Sequence, residues 1–172
     1  GSNIEISMIR LRKLQEKDIE GMLEWMHNPR INCFFRFDAA NMNYEKALEF
    51  VSKESTENRH FAIVDEQDEY IGTISLKEID FQHRKAEYAI SMREKWHGTG
   101  VAKEATEMLL SYAFEELNLH RIYLNVLSDN IRAIKFYEKC GFHFEGEFKG
   151  DLLLREEWKS LKWDAIVNDK KA

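Results

Sequence analysis

Two short segments between residues 97 and 142 carry residue types that could grip an anion and a flexible ligand. The first, His97-Gly98-Thr99-Gly100-Val101-Ala102, falls between a stretch of strand character and one of helix character. Small residues at such a junction let backbone N–H groups close on an anion, and the start of the helix adds favourable potential at the same point. A nucleoside triphosphate loop would need Gly-Lys-Ser/Thr, which does not follow, and a dinucleotide fingerprint would need a third glycine where Lys103 stands. A phosphate cradle and a plain glycine turn both remain open at this point. The second segment is Asn130-Ile131-Arg132-Ala133-Ile134-Lys135-Phe136-Tyr137-Glu138-Lys139-Cys140-Gly141-Phe142. Its helical spacing closes on Gly141, where a left-handed cap is wanted.

The elements that must position these segments follow from periodicity. Ile9 to Leu14 alternates apolar and basic residues, as a half-buried strand does. Gln15 to Asp18 then leads into a helix with Ile19, Met22, Leu23 and Met26 on one face, and Pro29 stops it near Asn28. Tyr44 to Val51 predicts a second early helix. Phe61 to Val64, Ile71 to Leu76 and Glu87 to Met92 are β-prone runs with polar turns between them, an antiparallel meander. Val101, Ala105, Met108, Leu109, Tyr112 and Ala113 recur at the period of an amphipathic helix packed on a sheet. Arg121 to Leu127 reads as a strand, Asn130 to Cys140 as a helix, and Phe142 to Phe148 with Ser160 to Val167 as two final strands. This order predicts an α+β fold with a mixed sheet.

Composition narrows the function class. A chain of 172 residues with 44% hydrophobic and 33% charged residues and one proline has the balance of one globular domain. Residues 8–167 are expected to form it, with Gly1 to Ser7 a tag or disordered leader, Met8 the native start and 168–172 a tail. No run approaches the roughly 20 apolar residues of a membrane span, and no secretory leader opens the chain, so a cytoplasmic protein without a membrane partner is expected. Cys33 and Cys140 lack metal-ligand spacing and are expected to be free thiols. The net charge of −6 and scattered cations offer a phosphate backbone no footprint, which excludes nucleic acid as the expected partner and mildly favours a cationic small molecule.

Together, at this separation and with a strand between them, the two segments resemble the GNAT superfamily of N-acetyltransferases. Its pyrophosphate loop reads Gln/Arg-x-x-Gly-x-Gly/Ala and its later helix Asn-x-x-Ala-x-x-x-Tyr-x-x-x-Gly-Phe. The similarity runs from about Ile9 to Ile166 and is greatest to the branch containing ribosomal-protein N-terminal, spermidine and nucleotide-linked amino-sugar acetyltransferases. It implies a single-domain, largely antiparallel sheet with helices on both faces and a splayed central strand pair. It implies acetyl-CoA as co-substrate and no metal. Gly98, Thr99, Gly100, Val101 and Ala102 would hold the pyrophosphate, with His97 and Lys103 beside them. Ile90, Ser91 and Met92 would run along the pantetheine arm and supply an oxyanion N–H, a kind of contact worth about 2.7 to 4 kcal/mol in other enzymes. Asn130 would hydrogen-bond the arm, with Ala133 and Phe136 on the same helix, and Tyr137 would protonate the departing thiolate. The departure from the pattern is His97 at the Gln/Arg position.

An alkylamine is almost wholly charged at neutral pH, so a base is useful. Glu87 matches a glutamate of this branch and could draw the proton directly or through water; it could equally be a charge partner of Arg84 or Lys85. Glu78 and Asp80 are spares. The acceptor would meet Trp25, His27, Asn28 and Phe35, with Phe34, Phe37 and Trp158 nearby. Acetyl transfer by direct attack is expected, since no cysteine or serine sits beside a plausible activating partner. The expected acceptor is a small molecule such as an amino sugar or polyamine; a protein N-terminus, or a non-catalytic acyl-CoA sensor, is the alternative. Edge strands in the last hairpin point to a homodimer.

Overall fold

The structure, a computed structural model, describes residues 8–169. Strand β1 (Arg10–Lys13) leads through a single 3₁₀ turn (Glu16–Asp18) into α1 (Ile19–Met26), and the entry is fixed by Asp18 accepting from the Gln15 N–H at 2.8 Å. The helix ends before Pro29, as expected. Pro29 then opens a further short helix, α2 (Pro29–Asn32), capped by Asn28, so the early segment holds three α-helices and not two. The physical reason is that proline is disfavoured inside a helix but well suited to its first position. Helix α3 (Tyr44–Ser52) starts on Asn43, whose side chain accepts from the Lys46 N–H.

The meander follows as β2 (Arg59–Val64), β3 (Tyr70–Asp80) and β4 (Lys85–Met92). Helix α4 (Val101–Ser111) runs on into a π-helical turn (Tyr112–Glu116), then come β5 (Arg121–Leu127) and α5 (Ile131–Lys139). The last two strands are longer than their hydrophobic runs suggest: β6 (His143–Leu154) and β7 (Glu157–Val167) meet at Arg155 and Glu156, both at positive φ. That pair of left-handed residues makes the turn that suits strand twist, so pairing continues to the tip.

All seven strands form one sheet in the order β1-β2-β3-β4-β5-β7-β6, and the single parallel junction is β4 with β5. Under one face, Ile63, Ile74, Leu76, Tyr88, Ile122 and Leu124 pack against Ala105, Leu109 and Ala113 of the α4 segment. Over the other, Ala62, Val64 and Tyr70 pack against Ile19, Met22, Trp25, Ala47 and Val51 of α1 and α3. Each fully buried aliphatic side chain contributes about 1.5–3 kcal/mol, so both helical layers are anchored by burial.

Candidate active site

The parallel junction is short. Strand β4 pairs with β5 only at Lys85, Ala86 and Glu87, opposite Arg121, Ile122 and Tyr123, and beyond Glu87 the two strands part. The main-chain alternation of β4 is set on its other side, where the Arg93 N–H donates to the Ile71 carbonyl at 2.9 Å in register with Met92 opposite Gly72. Main-chain groups of Glu87, Ala89 and Ser91 therefore face β3, and those of Tyr88, Ile90 and Met92 face the opening. Of the three arm-binding residues inferred from sequence, Ile90 and Met92 thus aim backbone at the gap, while Ser91 aims only a side chain near it. Gly72 is required here: a Cβ would come within 2.6 Å of the Ser91 carbonyl oxygen.

The glycine segment lies just after β4. Gly98 and Gly100 have φ of 75° and 88°, Gly100 is the N-cap of α4, and a Cβ built on either would meet no protein atom within 4 Å. Open space, left-handed backbone and the N–H groups of a helix start are the features by which a loop can accept an anion. Thr99 donates its hydroxyl to the Trp96 carbonyl at 2.6 Å and braces the loop, and the Trp96 indole nitrogen is buried without a partner one residue before it. His97 places Nε2 3.1 Å from the Met92 carbonyl oxygen, so that ring nitrogen serves the loop. Lys103 lies in an exposed i,i+4 pair with Glu107 at 3.9 Å.

Asn130 caps α5, accepting from the Ala133 N–H at 3.3 Å, which leaves its amide NH₂ for other partners. Ala133, Phe136 and Tyr137 are half-buried on that helix. The Tyr137 ring meets Tyr88 edge-on at 5.9 Å and Phe142 at 6.1 Å, so α5 is docked at the point where β4 leaves β5. Desolvation pushes the Tyr137 phenol up to about 12, partly opposed by the nearby Arg36 guanidinium. It is therefore a protonated phenol at any working pH.

Glu87 lies on the opposite face of β4 from Tyr88. One carboxylate oxygen accepts from the Asn125 amide at 2.9 Å and the other meets Lys77 Nζ at 3.1 Å; its partners are on the flanking strands, and Arg84 instead binds the Asn118 carbonyl. Arg36 gave no sequence signal. Its guanidinium is pulled down by desolvation, with the Glu87 and Tyr137 charges opposing that shift.

The residues expected from sequence to meet the acceptor divide. Trp25 is buried with its indole N–H on the Tyr70 hydroxyl at 2.8 Å, and Phe35 packs edge-on against Trp25 and stacks on Phe37. His27 binds the Met42 carbonyl, and Asn28 caps α2 and reaches Glu94. Trp158 is 70% exposed near the β6–β7 tip. That tip is tied to the same region, since Arg155 donates to the carbonyls of Asn32 and Cys33.

One serine does sit beside an imidazole, with Ser75 Oγ 2.6 Å from His60 Nδ1. Strands β2 and β3 bring them together from 15 residues apart. Burial and the nearby Lys77 charge lower His60 to about 4, so it is a poor acceptor for the proton that a nucleophilic serine must lose. Both cysteines are free, and among the described residues no cluster of ligating side chains could hold a metal.

Residues 9–143 match the acetyltransferase (GNAT) domain family, and the chain belongs to that family. It is an acetyl-CoA-dependent N-acetyltransferase. Among curated relatives, it is 31% identical over 166 residues to spermidine N(1)-acetyltransferase of Vibrio cholerae, with 95% of each chain covered. The structure of the V. cholerae spermidine N-acetyltransferase in complex with CoA and spermine superposes with a TM-score of 0.85 at 29% identity, covering 93% of this chain and 95% of that one. A dodecameric structure of the V. cholerae enzyme gives 0.77 at 30% identity, covering 93% and 94%.

Proposed function

We propose that this chain acetylates a primary amine of a polyamine by direct attack on acetyl-CoA, with Tyr137 as acid and Glu87 facing the incoming amine. The observation that carries this reading is the gap between β4 and β5. It opens immediately after Glu87, and Tyr137 packs on Tyr88 at the same place, so donor and acceptor can approach from opposite faces of the sheet. Gly98 to Ala102 would hold the diphosphate, and the open backbone edge at Ile90, with the Met92 N–H beyond it, would pair with the arm; the Met92 carbonyl already meets His97 Nε2. The amine nitrogen attacks the thioester carbon, and the Ile90 N–H donates to the oxyanion as the tetrahedral intermediate forms. Glu87, directly or through water, takes the proton that the ammonium must lose before its nitrogen attacks. As the carbon–sulfur bond breaks, Tyr137 donates its proton to sulfur and the nitrogen gives up a second proton to solvent, from which Tyr137 is reprotonated. Starting from the ammonium, two protons leave nitrogen, one ends on sulfur and one is released to water, and no acyl-enzyme is needed.

The polyamine class is supported by the relatives' activities and by the chain's net charge of −6. A self-associating protein is supported by β6, an edge strand with Phe144, Phe148 and Leu153 exposed. The described residues contain no helix able to cross a membrane, and with both thiols free we place the enzyme in the cytoplasm. We also keep residues 8–167 as one catalytic domain; the leader and residues 170–172 of the tail lie outside the described residues. The test is release of free thiol from acetyl-CoA with spermidine, spermine, an amino-sugar nucleotide and a ribosomal-protein N-terminal peptide. Turnover with the polyamines alone is expected. Turnover with the peptide or nucleotide but not the polyamines overturns the acceptor class.

A further inference from the structure

Resting on the reading of Glu87 as the group that faces the acceptor, we propose that Lys77 is an intramolecular competitor for the acceptor's seat. Its ammonium occupies the carboxylate oxygen that the acceptor's ammonium must take, and so sets how strongly cationic an amine must be to enter. Lys77 stands directly across from Glu87 in the β3–β4 register, with Nζ 3.1 Å from one carboxylate oxygen. The other oxygen is held at 2.9 Å by the Asn125 amide from β5, on the far side of the gap. The carboxylate is thus fixed on one side by a neutral strand residue and occupied on the other by a flexible charge.

Three observations separate this contact from an ordinary cross-strand pair. The Glu87 side chain is 16% exposed and that of Lys77 is 38% exposed, so the ammonium can swing into water while the carboxylate stays in place. The β3–β4 register shifts between Lys77 and Asp80, and Glu78 adopts a φ of 51°. Such a bulge re-aims the adjoining side chain, is over-represented next to active sites and costs pairing that a plain strand would keep. The Asn125 amide oxygen is buried without a partner, within one amide's width of the carboxylate. It is an acceptor suited to an N–H-rich group, which Glu87 and Lys77 by themselves leave unused. An incoming ammonium that displaces Lys77 keeps the charge pairing at Glu87 and returns Lys77 to solvent.

Lys77→Met tests this, because it keeps the apolar stem and removes the charge. With acetyl-CoA saturating, the KM for spermidine should fall about fivefold, the factor expected for removing one like charge at about 4 Å under water-like screening. The drop should shrink at about 0.5 M salt, and kcat should change less than KM. Lys77→Arg, which keeps the charge, should restore the parental KM, and Lys77→Gln serves as a second uncharged variant should Lys77→Met fold poorly. An unchanged or raised KM in a folded uncharged variant overturns the proposal. Glu87→Gln separates this failure from that of the underlying reading. If Glu87→Gln loses activity while Lys77→Met leaves KM alone, only the competitor idea falls. If Glu87→Gln changes neither kcat nor KM, or the parent chain does not turn over spermidine, both fall.

Discussion

On the α4–α5 face of the sheet, the groups proposed to meet the coenzyme are mainly backbone atoms held by regular elements: the open edge of β4 at Ile90 and Met92, and the Gly98–Gly100 turn into α4. On the α1–α3 face, the group proposed to meet the acceptor is a side chain, Glu87, held between Lys77 and Asn125. Backbone recognition demands left-handed glycines, a cap and a strand that leaves its neighbour, and those demands repeat whatever the amine. Side-chain recognition can be exchanged residue by residue without touching the fold. The coenzyme half therefore carries a motif, and the acceptor half carries none.

Substitutions should separate the halves cleanly. The largest effect belongs to the hinge between them: Tyr137→Phe should lower kcat by ~10² to 10⁴-fold with little change in either KM, measured by thiol release, because only the transferable proton is removed. Equal loss in both KM values would instead make the ring a packing residue for Tyr88 and Phe142. Next, Gly100→Val should raise the KM for acetyl-CoA roughly tenfold and leave the acceptor KM unaltered, since a side chain at φ 88° carries ~1–2 kcal/mol of strain and fills the cradle. A matching rise for the amine would merge the two halves. The smallest concerns stability. His60, against Phe50 of α3, is lowered from 6.5 to about 4 by burial, so below pH 6.5 the unfolded chain binds a proton that the folded one refuses. Its contribution is full above pH 6.5 and is lost as pH falls toward 4. Thermal melts of His60→Asn should fall less steeply across that window, with coenzyme KM unchanged.

The same division governed what the amino-acid sequence disclosed. Arg121–Leu127 has the bounds its alternation predicts, α4 begins at Val101 after its glycines, and Gly141 closes α5 at φ 97°. These are local signals, written in period and in backbone geometry. The short helix after Pro29 and the β6–β7 turn at Arg155 and Glu156 lacked such signals, since proline reads as a stop and neither turn residue is glycine or asparagine. Glu87 was legible as a candidate, but its neighbours were not. The charges adjacent in sequence, Arg84 and Lys85, gave way to Lys77 and Asn125, which only strand pairing brings near. Ser75 with His60 was hidden for the same reason. Trp25, His27 and Asn28 were expected to meet the acceptor, and in the structure their polar atoms are engaged with Tyr70, Met42 and Glu94.

Because β4 and β5 are joined at only three residues, the sheet is in effect two slabs with an incomplete seam, β1 to β4 on one side and β5, β7 and β6 on the other. A pantetheine arm bonded along the open edge would act as a guest strand that finishes the ladder. Coenzyme concentration then becomes a folding variable as well as a kinetic one: at a hundred times its dissociation constant, a ligand confined to the folded state adds about 2.7 kcal/mol. In a cell short of acetyl-CoA and free CoA, such a protein would be not only idle but also easier to pull apart along that seam.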